Sequence, residues 1–434
     1  MLIQAQIQQV LDILHNEVKP ATGCTEPISL AYAAAVAYQA VKGEDILKIE
    51  AKVSANLMKN GLGVFVPGTG VAGLPIAAAV GALGGDPEAG LQVLKNITPT
   101  VVAQGKALLA AGKVTIEVTP VPHILYSEAI IHTPNHVSRV CIADAHTNII
   151  RRELDGQIIE EKEASHELVI DDNKKFMQTL STKDIFEFVT TVPINDIEFL
   201  NEGADLNDLL AEEGLTGQYG LNIGACMKRS MEDGFTSNDI TNTIVMYTAA
   251  ASDARMGGAP LPAMTNSGSG NQGITATEPI SVLARLKGYS AEKRTRALAL
   301  SHLIAIYVHA FLPKLSALCA VATAAMGASA GMAYLLTEDE AVIDRALNNM
   351  TGDLIGMICD GAASSCASKV ATATNSAVKA VLLARDGIRI TGVEGIVAES
   401  ADESIRNIGR LASVGMKETD PEILNIMLSK TQRI

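Results

Sequence analysis

Three cysteines in the second half of the chain are the residues whose chemistry is easiest to name. Cys319, Cys359 and Cys366 are separated by 40 and 7 positions, and the last two bound the segment CDGAASSC. Cysteine thiolates bind iron–sulfur clusters, and a cluster held by three of them keeps one position open for a substrate. Compact zinc and ferredoxin motifs have tighter spacing, so core packing of buried thiols is the alternative interpretation.

A further cysteine, Cys24, belongs to the segment GCTEP at residues 23–27. The Thr25-Glu26-Pro27 sequence before an apolar run predicts a helix N-terminus. Threonine caps helices, an acid suits the positive end of the helix dipole, and proline is tolerated in the first turn. That dipole favours the thiolate form of a cysteine placed directly before it. A simple capping motif without chemistry is the alternative.

The pentapeptide TEPIS occurs twice, at residues 25–29 and 277–281, preceded once by cysteine and once by alanine. We expect both copies to begin helices whose positive ends converge on one anionic substrate. The segment MTNSGSGNQG at 264–273 leads toward the second copy, and its amides, hydroxyls and glycines predict a cradle for carboxylate or ammonium groups. A flexible linker is the alternative. The candidate substrate-binding residues are Glu26, Asn266, Ser267, Ser269, Asn271, Gln272 and Glu278.

The elements that would position these groups change in character near residue 168. Residues 1–168 combine helical and alternating patterns, which predicts a small N-terminal α+β domain carrying the GCTEP helix start. Residues 169–434 show apolar residues at helical spacing, which predicts a larger all-α domain carrying the three cysteines. The strands are expected at 46–55, 114–118, 124–133, 138–144 and 148–154, with a hairpin turn at Asp155-Gly156.

The composition narrows the class of function. The 434 residues carry a formal charge of −14, which argues against a nucleic-acid surface and favours a small-molecule substrate. Nothing near the N-terminus resembles a signal peptide, so a cytoplasmic location is expected. The charge-free segment 316–337 is long enough to span a bilayer, but its alanine, glycine, serine and threonine predict a pair of buried core helices and no membrane partner.

These segments together resemble the L-cysteine desulfidases of bacteria and archaea, a branch related to the iron–sulfur L-serine dehydratases. The resemblance covers nearly the whole chain. The dehydratases have a serine- and histidine-containing turn where this chain has ATGCTEP, and they combine a small α+β domain with a helical domain. The segments that carry the resemblance are KPATGCTEPISLA at 19–31, NSGSGNQGITATEPI at 266–280 and CDGAASSCASK at 359–369, together with Cys319.

The resemblance implies a 4Fe-4S cluster held by Cys319, Cys359 and Cys366, with Cys24 at the active site as the catalytic base or as a fourth, displaceable ligand. It implies α,β-elimination of L-cysteine to pyruvate, ammonia and hydrogen sulfide, since a cysteine replaces the dehydratase turn. L-serine dehydratase activity and a non-catalytic iron–sulfur sensor are the alternatives, and a pyridoxal-phosphate mechanism is a rival. We expect a homodimer that binds an amino acid.

Overall fold

A computed structural model describes residues 2–23, 25–162, 172–313 and 316–431. In these ranges the strands are β1 (Pro20–Thr22), β2 (Lys48–Val53), β3 (Phe65–Val66), β4 (Val71–Ala72), β5 (Val114–Val118), β6 (Tyr126–His132), β7 (Val137–Ala143), β8 (Ile149–Leu154), β9 (Gln157–Glu161) and β10 (Pro262–Met264). The helices are α1 (Gln4–Glu17), α2 (Thr25–Gln39), α3 (Ala55–Gly61), α4 (Leu74–Gly84), α5 (Pro99–Ala110), α6 (Asp172–Thr179), α7 (Thr182–Thr191), α8 (Leu200–Gly214), α9 (Ile223–Glu232), α10 (Ile240–Met256), α11 (Gly270–Lys287), α12 (Ala291–Phe311), α13 (Ala320–Thr337), α14 (Glu340–Leu354), α15 (Cys366–Arg385), α16 (Ala401–Arg410) and α17 (Thr419–Thr431).

A mixed sheet forms the centre of the first half of the chain. Its strand order among the described residues is β5-β2-β6-β7-β8-β9, with β2 and β5 parallel and the other neighbours antiparallel. Alternate side chains of β2, namely Ile49, Ala51 and Val53, are buried, as the alternating sequence pattern predicts. Helices α2 and α4 pack on each other, and α2 also packs on β6 and β7. The five predicted strands and the Asp155-Gly156 turn between β8 and β9 are confirmed.

The second half of the chain is a packed group of helices with α13 at its centre. Helix α13 contacts α11, α12, α14 and α15. It corresponds to the charge-free segment, and most of its residues are buried inside the protein. It is the one helix in the described ranges whose length and hydropathy would suit a membrane span. The expectation of a buried core element is confirmed, but it is one helix and not a pair.

Each end of the chain packs with the core of the other half. Val10, Ile13 and Leu14 of α1 are buried in the helical core. Leu424 and Leu428 of α17 pack in the core beneath the sheet. A mixed α+β architecture is therefore established, whereas the division at residues 168 and 169 stays a prediction.

The prediction that Thr277 begins a helix is wrong. Helix α11 begins at Gly270, capped by Ser269, whose Oγ accepts a hydrogen bond from the Gln272 backbone N at 3.5 Å. Pro279 lies inside the helix. A proline there cannot donate the usual backbone hydrogen bond, but α11 is buried along most of its length. Tertiary packing therefore overrides the local stop signal.

Candidate active site

A two-stranded ribbon brings the two glycine-containing segments side by side. Strands β1 and β10 are antiparallel, with Pro20 opposite Met264 and Thr22 opposite Pro262. The pairing continues beyond the ribbon, since the Thr265 backbone N donates to the Lys19 carbonyl at 3.0 Å. Pro20 and Met264 are thus paired in one β-ladder although they are 244 positions apart in the sequence. The predicted catalytic residue, Cys24, lies outside the described residues, but Gly23 before it and α2 after it are described.

The predicted helix start at Thr25 is confirmed, because α2 begins there. The backbone immediately before it bends at Gly23, which has a φ of +75°. A Cβ at this position would lie 2.6 Å from Pro67 Cγ, so the turn has no room for a side chain. Glu26 lies in the first turn of α2, where it accepts a hydrogen bond from Thr25 Oγ1 at 3.3 Å. Its negative charge suits the positive end of the helix dipole.

Arg255, near the C-terminus of α10, is the residue that joins the two segments. Its side chain is buried, at 7% exposure. Its Nη2 donates to the Gly23 carbonyl oxygen at 3.1 Å. Its Nε lies against the start of α11, because a Cβ at Gly270 would be only 2.1 Å away. The Gly23 turn before α2 and the start of α11 therefore contact one guanidinium group. The predicted convergence of two TEPIS helix starts is wrong, because the second copy lies inside α11.

Two of the three candidate cluster ligands are held together by backbone hydrogen bonds. The Cys319 backbone N donates to the Met357 carbonyl at 2.9 Å, and the Cys359 backbone N donates to the Ala317 carbonyl at 2.8 Å. Cys319 occupies the N-cap position of α13, without a side-chain capping hydrogen bond. The chain thus places residues 40 positions apart on adjacent, antiparallel backbone segments.

Cys366, the third candidate, begins α15 and connects the cysteines to Arg255. It packs with Val64 and with Met256. Met256 Sδ is 3.2 Å from Arg255 Nη1. The same guanidinium thus contacts the GCTEP turn, the start of α11 and the residue that packs on Cys366. Helices α2, α11 and α15 come from separate parts of the sequence.

Burial dominates the electrostatics of the thiols. It raises the pKa of Cys319 to about 12, and the nearby thiols of Cys359 and Cys366 act in the same direction. Burial and the Cys359 thiol also raise the pKa of Cys366, while Lys369 and Arg255 lower it. Lys369 forms an ion pair with Asp360 and donates to the Ile358 carbonyl at 3.0 Å. Burial therefore favours the protonated form of both Cys319 and Cys366.

Cys319, Cys359 and Cys366 fit an iron–sulfur cluster in donor type, because their side chains are thiols. The thiols come from three backbone segments, and each of these cysteines is a free cysteine. Their side chains do not already form a ligand set, since the described residues contain no group of His, Cys, Asp or Glu arranged to hold a metal ion. Because cysteine binds iron as the thiolate and not as the thiol, binding would require loss of the protons that burial favours.

The polar loop is bonded mainly within the protein. Asn266 Nδ2 donates to His302 Nδ1 at 3.0 Å and to the His302 carbonyl at 3.2 Å. Asn271 Oδ1 accepts from Ser252 Oγ at 3.1 Å, and Gln272 Oε1 accepts from Thr323 Oγ1 at 3.4 Å. The side chains of these three residues rigidify the start of α11.

Ser267 and Ser269 are more accessible, since both are only partly buried. Ser267 has a φ of +48°, and its Oγ donates to Asn266 Oδ1 at 2.9 Å. The loop is therefore an ordered cradle with an exposed tip at Gly268 and not a flexible linker. Contact of its residues with substrate stays a prediction.

Glu278 lies apart from this group of residues, on the face of α11 that packs toward α8. It is completely buried, and burial and the neighbouring Asp208 raise its pKa well above the usual range for glutamate. Arg285 acts in the opposite direction. Neither carboxyl oxygen has a hydrogen-bond partner within the described ranges. Its predicted role in substrate binding is untested, but its surroundings are those of a neutral, structural carboxyl group.

Sequence reasoning identified neither Arg255 nor His302 as a residue of the site. Arg255 is a lone cation in ASDARMGG, where the apolar and small neighbours are a weak signal of burial. His302 accepts from Asn266 through Nδ1, so Nε2 carries the proton toward Thr277 Oγ1 at 3.1 Å. Burial lowers the pKa of His302 to about 3, which keeps the ring neutral.

Comparison with known proteins identifies the family of the chain. The sequence profile described as serine dehydratase alpha chain matches residues 88–425, which is most of the chain. The chain belongs to the serine dehydratase alpha chain family. The matched range includes Arg255, the polar loop and all three candidate ligands, whereas Cys24 precedes it.

Several bacterial relatives match the serine dehydratase-like chain along its length. A UPF0597 protein of Chromobacterium violaceum is 54% identical over 417 residues, covering 96% of each chain. The UPF0597 protein YhaM of Escherichia coli strain K12 is 51% identical over 427 residues, covering 98% of each. A UPF0597 protein of Actinobacillus pleuropneumoniae serotype 3 is 49% identical over 435 residues and is covered completely. These names state no activity, so the reaction must be argued from the site.

Proposed function

We propose that this protein is an L-cysteine desulfidase, a carbon–sulfur lyase that converts L-cysteine to pyruvate, ammonia and hydrogen sulfide. The observation that carries the proposal is that Cys366 packs on Met256, beside the Arg255 guanidinium that contacts Gly23, while Cys319 and Cys359 are held on adjacent backbone segments. Membership of the serine dehydratase family supports elimination chemistry. The cysteine at position 24 favours a thiol substrate over a hydroxyl substrate.

Cys319, Cys359 and Cys366 would hold a 4Fe-4S cluster. When bound, the cluster supplies Lewis acidity at its one iron without a cysteine ligand, which assists departure of a thiolate. Burial raises the pKa of Cys366, and the positive charges of Lys369 and Arg255 oppose part of that rise. Those charges favour the thiolate form that iron requires.

Cys24 would take the α-proton of the substrate. The Cα–H and Cβ–S bonds break, a Cα=Cβ double bond forms, and sulfur leaves as hydrosulfide. The aminoacrylate product then takes up water and releases ammonia, which leaves pyruvate. The start of α2 directly after Cys24 favours its thiolate form and hence its action as a base.

The test is an anaerobic assay of the iron-reconstituted protein with L-cysteine and L-serine in parallel. Sulfide and pyruvate from L-cysteine, with no pyruvate from L-serine, would support the proposal. Pyruvate from L-serine alone would establish the dehydratase alternative. Absence of product from both amino acids, with iron bound, would leave the sensor alternative.

Cysteine-to-serine variants test the ligand set and the base separately. Cys319→Ser, Cys359→Ser and Cys366→Ser should each lose most of the iron and the visible absorption of the cluster. Cys24→Ser should retain iron but lose turnover if Cys24 is the base, and should lose both if it is a ligand. Cys226→Ser is the matched control, since Cys226 is exposed on α9 and should change neither property. A borohydride-sensitive pyridoxal band would contradict the cluster proposal.

Two further expectations belong with this function. We propose that the enzyme acts in the cytoplasm, where an oxygen-sensitive cluster and free thiols are protected by reducing conditions. We also propose a homodimer, which sedimentation analysis of the purified protein would test.

A further inference from the structure

Arg255 carries an unmatched buried charge. Its side chain is 7% exposed, and none of the ion pairs formed by the described residues includes it. A buried cation without an anionic partner is strongly unfavourable, so such sites normally bind an anion. The charge therefore points to a ligand as its partner.

The hydrogen bonds of Arg255 leave most of its donor capacity unused. Nη2 donates to the Gly23 carbonyl at 3.1 Å, whereas Nη1 faces Met256 Sδ at 3.2 Å, and a thioether sulfur is a weak acceptor. Nε has no partner among the residues that the structure describes. An arginine presents five N–H donors in a planar fork that matches a carboxylate. The Arg255 side chain thus has free N–H donors that could bind a planar anion.

The surroundings add positive potential. Nε lies against Gly270, the first residue of α11, as the 2.1 Å approach of a Cβ there indicates. Helix N-termini attract carboxylates through their dipole and free backbone amides. The start of α2 at Thr25 follows Gly23 by two residues. The guanidinium therefore lies against the start of α11, which favours an anion, and against the Gly23 turn that precedes α2.

We propose that Arg255 binds the α-carboxylate of a small amino-acid substrate, as a bidentate pair on its guanidinium edge. This inference rests on the proposed function, since it names the group that would orient L-cysteine beside Gly23 and the start of α11. The contact between Arg255 and Gly23 also ties the GCTEP turn to the helical half. Substrate binding would thus depend on a residue from the second half of the chain and a turn from the first.

The experiment measures binding without turnover. Isothermal titration calorimetry on the anaerobically purified full-length protein would compare L-alanine, which has the carboxylate but no leaving group, with ethylamine, which lacks the carboxylate. Wild-type protein should bind L-alanine and not ethylamine. Arg255→Met should weaken L-alanine binding by about 10- to 100-fold, since hydrogen bonds between charged groups are lost.

Arg296→Met is the matched control. Arg296 is also largely buried, and its Nη1 also donates to main-chain carbonyls, those of Val189 at 2.6 Å and Val192 at 3.1 Å. Its removal should leave L-alanine affinity unchanged. If Arg255→Met does not fold, Arg255→Lys carries the test. Lysine keeps the charge but cannot form the bidentate pair, so about tenfold weaker binding is expected.

Three outcomes would overturn the inference. The first is wild-type protein that does not bind L-alanine, and the second is an Arg255 variant that binds it as well as wild type does. The third is an Arg255→Met protein that loses iron while keeping L-alanine affinity, because the arginine would then neutralise the thiolates. If the wild-type protein produces sulfide but the Arg255 variants bind L-alanine with unchanged affinity, this inference is contradicted and the proposed function is not. L-alanine binding that requires Arg255, without any sulfide production, contradicts the proposed function alone.

Discussion

At the scale of single residues, burial determines what the polar groups can do. His302 is completely buried and neutral, and it holds the Asn266 amide in place. Glu278 is equally buried, but neither of its oxygens has a hydrogen-bond partner within the described ranges. Arg255 must remain charged, because a guanidinium does not lose its proton in proteins. Of these residues, only Arg255 brings a permanent charge into the candidate site.

Wild-type protein should lose stability as pH rises, and the Glu278→Gln variant should lack this loss. Below the unfolded-state pKa both states are protonated, so the glutamate contributes no pH dependence there. As pH rises, the unfolded state ionises while the buried carboxyl keeps its proton, because its pKa is raised. Wild-type stability should therefore fall relative to the variant by up to about 1.4 kcal/mol per pH unit.

Urea denaturation at about pH 5 and about pH 8 would measure this difference, because the effect develops above the unfolded pKa. Glu212→Gln, at an exposed position of α8, is the control and should show little change. An equal pH dependence in wild type and Glu278→Gln would show that Glu278 is ionised in the folded protein.

At the scale of elements, close backbone contacts position the site. Helix α11 lies so near β10 that a Cβ at Gly273 would be 1.9 Å from the Met264 carbonyl oxygen. Gly81 brings α4 equally close to α2, since a Cβ there would be 2.3 Å from the Ala31 carbonyl oxygen. Both neighbours are backbone atoms, which cannot move aside as a flexible side chain can. The glycines therefore set the distances between elements.

Gly273→Ala should push β10 away from α11 and destabilise the protein. Overpacking of this kind costs about 1 to 3 kcal/mol, which exceeds the roughly 1 kcal/mol that alanine gains in helix propensity. Differential scanning calorimetry should show a lower Tm. Gly356→Ala is the control, because a Cβ there meets no atom within 4 Å. An unchanged Tm for Gly273→Ala would mean that the two elements separate without strain.

At the scale of the whole molecule, the two ends of the chain bind the two halves together. Helix α17 returns to the sheet, where Asp420 accepts from the buried Lys59 of α3 at 2.6 Å. Lys59 Nζ also approaches the Cys359 carbonyl oxygen at 3.4 Å. The main chain of the cysteine loop is also close, since a Cβ at Gly361 would be 2.6 Å from the Lys59 carbonyl oxygen. One lysine thus connects the sheet, the C-terminal helix and the cysteine loop.

Lys59→Met should destabilise the protein by about 2 to 4 kcal/mol, because it leaves the partly buried Asp420 carboxylate without its cation. The double variant Lys59→Met/Asp420→Leu should recover part of that loss, which a double-mutant cycle from urea unfolding would measure. Lys48→Met is the control, since its ion pair with Glu50 is exposed and should contribute less than about 1 kcal/mol. If the changes in the free energy of unfolding of the single variants add up to that of the double variant, Lys59 and Asp420 are not coupled.

Local patterns in the sequence were sufficient for the elements and for the candidate thiols. Alternation specified the strands of the sheet, and the Thr-Glu-Pro capping pattern correctly placed the start of α2. The same pattern failed at Thr277, because packing around α11 outweighed a signal that depends only on neighbouring residues. The loop residues were identified as polar and ordered, but the inward hydrogen bonds of Asn266, Asn271 and Gln272 depend on distant partners.

By itself the sequence predicted five strands of the sheet, the start of α2, the helical character of the second half and the resemblance to elimination enzymes. Only the tertiary structure decided that Arg255 joins the GCTEP turn to the true start of α11, and that α1 and α17 each pack with the opposite half. The physical reason is the distance along the chain over which each effect acts. Capping, alternation and helical spacing act within a few residues, whereas burial of a charge depends on contacts such as that between Arg255 and Gly23, 232 positions apart.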